Sequence, residues 1–307
     1  MIEEEIPSAL AGDRLDRVVA LLADLSRAQS AALIAVGGVS VDGVVAGAGK
    51  VKLEVGQTIV IDTSKLPDKE LPQADPSVVV DVVHSDTDIV VVNKANGLVV
   101  HPGAGNPAGT LVNGLLALYP EIAEVGDPMR PGIVHRLDAG TTGLMVVART
   151  SDAYESLVGQ LSQRLVHREY LAVAVGTFDA HSGVIDAAIG RDLRELTKMA
   201  VRVDGKPART HYEVLESFIE PMAASLVRCE LETGRTHQIR VHLAAVGHPV
   251  LGDATYGGVR AAVSFGRPAL HAVRLSFAHP RSGDEMSFEA PVPDDFASLL
   301  GRFSAGD

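Results

Sequence analysis

Residues 135–148 read HRLDAGTTGLMVVA, a charged glycine turn that runs straight into an apolar stretch. Gly140 and Gly143 allow the backbone to fold tightly, and the unbroken run 144–148 has the length of a buried strand. Comparable short Val- and Leu-rich runs recur at 78–83, 89–92, 171–175 and 226–231, while helical spacing beyond residue 77 is confined to about 110–118, 153–165 and 236–246. Strands that do not alternate regularly with helices argue against a doubly wound sheet. The fold expected is therefore α+β, with a mixed, largely antiparallel sheet.

The turn also carries chemistry. Asp138 follows His135 and Arg136 and precedes the glycines. A lone Asp-x-Gly usually closes a turn on its own backbone. A carboxylate held where a rigid strand meets a turn can also act as a nucleophile or base, and the charged neighbours favour that reading here.

Residues 1–62 read as a module of their own. Leu15, Val18, Val19 and Leu22 recur at helical spacing behind Asp13, which is placed to cap that helix; Ser26 with Gln29 makes a capping box for a second. Gly37-Gly38 ends the second helix, 39–41 and 44–45 flank Asp42-Gly43 as a hairpin, and 57–61 supplies a further strand. Two helices and a small sheet make one compact α/β unit. Arg14 and Arg17 lie one turn apart and Arg27 opens the second helix, so one polar face is cationic. Residues 63–77 (TSKLPDKELPQADPS) hold three prolines and little apolar content, the composition of a semi-extended linker. The remainder, 78–307, is the larger domain.

With 307 residues, 46% of them hydrophobic, the chain can bury a sizeable core. No apolar run approaches the ~18 residues of a membrane span. The acidic start MIEEEI does not resemble a secretory signal, so the cytoplasm is the expected compartment and no membrane partner is expected. Cys229 is the single cysteine, which excludes an internal disulfide and a thiolate metal site. A net charge of −12 argues against a general polyanion binder. The segment 191–209 runs the other way, with Arg191, Arg194, Lys198, Arg202, Lys206 and Arg209 against Asp192, Glu195 and Asp204, and could face phosphates.

Four further segments set polar residues beside glycine turns. In NKANG (93–97), which leads to HPGAGN (101–106), Lys94 directly follows a strand and is placed to meet a phosphate or a carboxylate. Arg168-Glu169-Tyr170 opens the strand 171–175, and its tyrosine offers a ring face and a weakly acidic hydroxyl. In LETGRTHQIRVH (231–242), Gly234 breaks a strand and Thr236 is placed to cap a helix whose apolar stripe is Ile239, Leu243 and Val246. Arg235 and His237 then stand at the helix entrance, where free N–H groups favour anions. Arg240 falls in the first turn, where it can pair with a carboxylate. GDATYGG (252–258) reads as a structural loop.

Several chemistries fail on spacing. His237 and His242 are five apart rather than the four of a helical zinc pair. GVVAGAGKV (43–51) lacks the glycine and the Ser/Thr of a phosphate loop, GAGNPAG (103–109) spaces its third glycine one residue too far for a dinucleotide fingerprint, and no Gly-x-Ser-x-Gly elbow occurs. One carboxylate, several arginines and a tyrosine remain.

VNKANGLVVHPGAGN, GIVHRLDAGTTGLMVVAR, REYLAVAVG and LETGRTHQIRVHL, in this order, resemble the RluA family of large-subunit ribosomal RNA pseudouridine synthases, in its RluD type, over about residues 78–290. The amino-terminal unit resembles the RNA-binding module named after ribosomal protein S-four. The resemblance implies a catalytic cleft at the centre of the sheet, no cofactor and no metal, an RNA partner and a monomer. It implies Asp138 as the essential carboxylate that acts on uridine while the glycosidic C–N bond is exchanged for a C–C bond through C5. Tyr170 matches the tyrosine that stacks on the base, Arg240 the arginine paired with the aspartate, and Arg136 a residue that fills the gap left by the extruded nucleotide. Arg235, His237, Lys94 and Arg168 are assigned to the pocket or to phosphates, and Arg14, Arg17 and Arg27 to RNA through the small module. Two other readings compete: a synthase acting on transfer RNA or another RNA, and a non-catalytic ribosome-assembly factor, against which Asp138, Tyr170 and Arg240 together argue.

Overall fold

A computed structural model describes residues 1–67, 70–103, 105–195 and 197–305. The chain divides into two compact units, Met1–Glu70 and Leu71–Asp307.

In the smaller unit, β1 (Ile2–Glu5), α1 (Leu15–Leu22), α2 (Arg27–Ala35), β2 (Val39–Val41), β3 (Val44–Val45) and β4 (Thr58–Ile61) follow one another. The strands form an antiparallel sheet in the order β1-β4-β2-β3. Leu15, Val18, Val19, Leu33 and Ile34 pack against Val39, Ile59 and Ile61 to make its core. Asp42 and Gly43 both take positive φ, the geometry of a two-residue hairpin turn. Ser26 and Gln29 form the capping box. Asp13 does not cap α1: the N-cap is Arg14, and the Asp13 carboxylate is drawn instead to Arg17, 3.0 Å away.

The larger unit contains β5 (Val82–Ser85), β6 (Ile89–Lys94), α3 (Leu111–Leu118), β7 (Thr142–Ala148), α4 (Ser151–Ser162), β8 (His167–Val175), β9 (Ser182–Asp186), β10 (Ile189–Arg191), β11 (Met199–Val201), β12 (Arg209–Glu220), β13 (Ala224–Leu231), α5 (Gln238–Ala245), β14 (Leu270–Ala278), β15 (Glu285–Glu289), α6 (Asp294–Leu300) and β16 (Ser304–Ala305). Ten of these strands make one sheet in the order β16-β12-β13-β8-β14-β7-β6-β5, with β15 on β14 and β9 on β12. Every pair is antiparallel except β7 with β14. This is the mixed, mostly antiparallel α+β architecture expected from the strand pattern.

Each residue of β7 is buried, as an unbroken apolar run requires. Gly143, with φ of 114°, lets β7 and β14 approach so closely that a Cβ would sit 2.2 Å from the Ala272 carbonyl oxygen. The expected strand at 78–83 is displaced, because Val78 and Val80 pack on Gly114 of α3 and only from Val82 does the chain join the sheet. Part of the segment read as linker is likewise tied down: the Asn113 side chain donates to Gln73 O at 2.7 Å, and Asp75 N to Asn113 O at 2.9 Å.

Candidate active site

A cavity of about 360 Å³ opens over the middle strands of the large sheet, lined by the turn before β7, by β8, by the β13–α5 connection and by α5. Asp138, Tyr170 and Arg240, spread over 102 positions of sequence, all line it.

The Asp138 turn is held at every carbonyl. Asp138 O accepts from Thr141 N at 3.0 Å, Ala139 O from Gly97 N at 2.9 Å and from Lys94 Nζ at 3.0 Å, and Gly140 O from Arg267 Nη1 at 3.2 Å. His135 Nε2 accepts from Val146 N at 3.1 Å, and burial, with the Arg168 charge adding to it, pushes the ring's pKa down to about 3. Lys94 is thus not placed to meet a phosphate. It is 1% exposed, and its other two donors go to Ala95 O and Leu98 O at 2.8 and 2.9 Å. Burial lowers its pKa to about 8, against the pull of the Asp138 charge. A strand-end lysine looks solvent-facing in sequence; the loops folded over it are what bury it.

Arg240, the third residue of α5, donates from Nη1 to Asp138 Oδ2 at 2.9 Å and grips Asp253 with Nε and Nη2 at 2.6 and 3.0 Å. Burial opposes its charge, but the hydrogen bonds and charges of Asp253 and Asp138 outweigh it and raise its pKa. Asp253 is itself fully buried and also accepts from Thr255 N and Tyr256 N. It therefore fixes two of the guanidinium's nitrogens and leaves the third for Asp138. The Tyr256 ring lies 5.1 Å from the same guanidinium, and its hydroxyl accepts from Met199 N at 3.0 Å. That hydroxyl is also hydrogen-bonded to His237 Nδ1 at 2.8 Å, and His237 Nε2 lies 3.8 Å from Asp138 Oδ1. Burial lowers the His237 pKa, with Asp138 opposing. His237, not Thr236, is the N-cap of α5, in a left-handed conformation with no capping side chain.

Tyr170 points inward from β8 and is 5% exposed. Burial raises its phenol above the ordinary range, while Arg168 pulls it back. Arg168 is buried on the same face of the strand; its Nη2 donates to Leu231 O at 3.4 Å. Arg136 and Arg235 line the cavity from exposed positions, Arg235 Nε reaching Pro207 O at 3.1 Å. Arg14, Arg17 and Arg27 belong to the smaller unit and are exposed, the first two paired with Asp16 and Asp13. In the basic stretch, Lys198, Arg202 and Arg209 pair with Glu195, Asp204 and Asp186.

Asp253 and Tyr256 were legible only as parts of a turn-rich loop. Their one sequence signal is the polar pair set between glycines in GDATYGG. A second cluster, Asp86, Asp88 and His279, brings possible metal donors together among the described residues. Those donors are already spent. Arg281 takes both Asp88 oxygens at 2.8 and 2.6 Å, and backbone N–H groups on His279 Nδ1 direct its Nε2 proton at Asp86, 3.2 Å away.

Residues 88–245 match the family described as RNA pseudouridylate synthase. The chain is 47% identical to ribosomal large subunit pseudouridine synthase D of Vibrio parahaemolyticus, over 94% of this chain and 90% of the relative. It is 48% identical to the protein of the same name from Neisseria meningitidis, over 98% and 82%. Among solved structures, human RNA pseudouridylate synthase domain containing 1 superimposes with a TM-score of 0.60 at 29% identity, covering 76% of this chain and 91% of that one.

Proposed function

The chain belongs to the RNA pseudouridylate synthase family, and from that premise we propose that it converts uridine to pseudouridine in large-subunit ribosomal RNA with Asp138 as the essential carboxylate. One observation carries the assignment. Asp138 is paired to a guanidinium inside a cavity of about 360 Å³ that has the Tyr170 ring in its wall. A base within a duplex cannot reach such a carboxylate, so the nucleotide must first be swung out of its stack. Arg136, exposed at the cavity, is then a side chain available to occupy the gap.

In the reaction the C1′–N1 bond breaks, the uracil turns and C1′–C5 forms; the C5 proton is lost and N1 gains one, so product and substrate are isomers. Asp138 acts at the nucleoside, Arg240 keeps the carboxylate aimed, and Tyr170 supports the base. Arg235, His237 and Arg168 complete the pocket, and the smaller unit supplies Arg14, Arg17 and Arg27 to RNA as an S-four-type module acting with a cytoplasmic, monomeric enzyme. The 47–48% identities to two large-subunit synthases over nearly the whole chain favour that substrate over transfer RNA.

The test is tritium release from large-subunit RNA transcripts labelled at uridine C5. Wild type should release tritium without added metal, and Asp138→Asn should release none while binding the transcript with unchanged affinity. Release by that folded variant would remove Asp138 from the chemistry.

A further inference from the structure

Buried polar atoms in folded proteins are almost always hydrogen-bonded, so each exception calls for an explanation. Among the described residues four buried side-chain atoms have no hydrogen-bond partner: His101 Nδ1, Thr141 Oγ1, Arg168 Nε and Arg228 Nε. The first three line the Asp138 cavity.

Arg168 is the most demanding of them. Its side chain is 8% exposed, and among the described residues no carboxylate lies within ion-pair distance. Among the described residues its single hydrogen bond is the long one to Leu231 O. Arg240, across the cavity, has two carboxylates for the same charge. A buried guanidinium without a counter-charge costs several kcal/mol in general and is not accounted for by stability. Its donors fit a ligand that brings acceptors.

Burial decides which part of a nucleotide that is. Arg130, Arg136 and Arg235 line the cavity from exposed positions, where a phosphate keeps its water. Arg168 and Tyr170 are two residues apart on β8 and buried on one face, so a base lying on the Tyr170 ring has its edge beside Arg168. Uracil presents two carbonyl acceptors at its edges. Arginine is donor-only, so it accepts such an edge and rejects the amine that cytosine carries at C4. We propose that Arg168 is a specificity-determining residue that donates a hydrogen bond to the C4 carbonyl of the bound uridine. This rests on the reading of the cavity as the uridine site. Gly234 seats the group, since a Cβ there would lie 2.7 Å from Arg168 Nη1.

The experiment compares large-subunit transcripts made with uridine, 4-thiouridine or 2-thiouridine, with isomer formation read by chromatography of digested nucleosides. Sulfur is a poor acceptor, so the 4-thiouridine transcript should slow the wild type by about tenfold or more, the worth of a charge-assisted hydrogen bond, and a penalty confined to the 2-thiouridine transcript would overturn the proposal. In Arg168→Met that penalty should largely vanish, with RNA affinity and its salt dependence unchanged. Where Arg168→Met does not fold, Gly234→Ala, which retains the guanidinium but displaces it, should show the same reduced penalty. A full wild-type penalty for the 4-thiouridine transcript in the folded variant would overturn the proposal. So would a uniform loss of RNA affinity with a salt slope lowered by about one, the mark of a phosphate contact. Wild-type turnover of the uridine transcript reports on the substrate reading alone.

Discussion

The cations of the two units do different work. In the smaller unit Arg14, Arg17 and Arg27 are exposed, and the first two pair with acids two and four residues away. In the larger unit Lys94, Arg240 and Arg267 are buried and reach Ala139, Asp138 and Gly140 across 45, 102 and 127 positions. Surface pairs of the first kind are screened and add little to stability. Buried cations of the second kind must be bonded, and in return they hold the Asp138 turn in one geometry.

Asp253→Ala should test this contrast most severely. It leaves Arg240 buried with one carboxylate instead of two, at a cost of about 3 kcal/mol or more in stability, and frees the guanidinium to swing. A drop of about 10² in kcat/KM with RNA affinity intact is expected. Unchanged kcat/KM would show that Asp138 does not depend on this clamp.

Lys94→Met should come next, at about 3 kcal/mol, because a buried ammonium and its three hydrogen bonds to carbonyls are lost. The pH dependence sharpens the point. The folded pKa is lowered to about 8 from 10.5, so between these values the unfolded chain holds the proton more firmly and wild-type stability rises with pH relative to the variant. Urea midpoints of the two proteins at pH 7 and pH 10 measure it; a gap that narrows toward pH 10 would mean the ammonium is not paying a burial penalty.

The smallest stability effect belongs to the triple substitution of Arg14, Arg17 and Arg27 by Gln. The thermal midpoint should stay where it is, while the slope of log affinity for RNA against log salt falls by about one for each charge that meets a phosphate. An unchanged slope would assign the smaller unit a role other than phosphate binding.

Much was readable from local pattern. The α+β class followed from short apolar runs without regular helices between them, because strand and helix periodicity are properties of neighbouring residues. The strand at 78–83 was misplaced since nothing in those residues announces the glycine at position 114 on which Val78 and Val80 pack. Thr236 looked like a cap for α5, yet the left-handed turn at His237, whose ring bonds Tyr256, moved the helix start beyond it.

By itself the amino-acid sequence singled out the candidate side chains: Asp138 in its glycine turn, Tyr170 at a strand entrance and Arg240 in the first turn of a helix. These are consequences of residue type and near spacing. Only the tertiary structure decided what each group faces. Whether a lysine ends in water or under three carbonyls, whether an aspartate in a loop is ornament or the anchor of Arg240, and which guanidinium lacks a counter-charge all depend on distant segments packed around it. Electrostatics in a protein is set by burial and by neighbours in space, and neither is a local property of the chain.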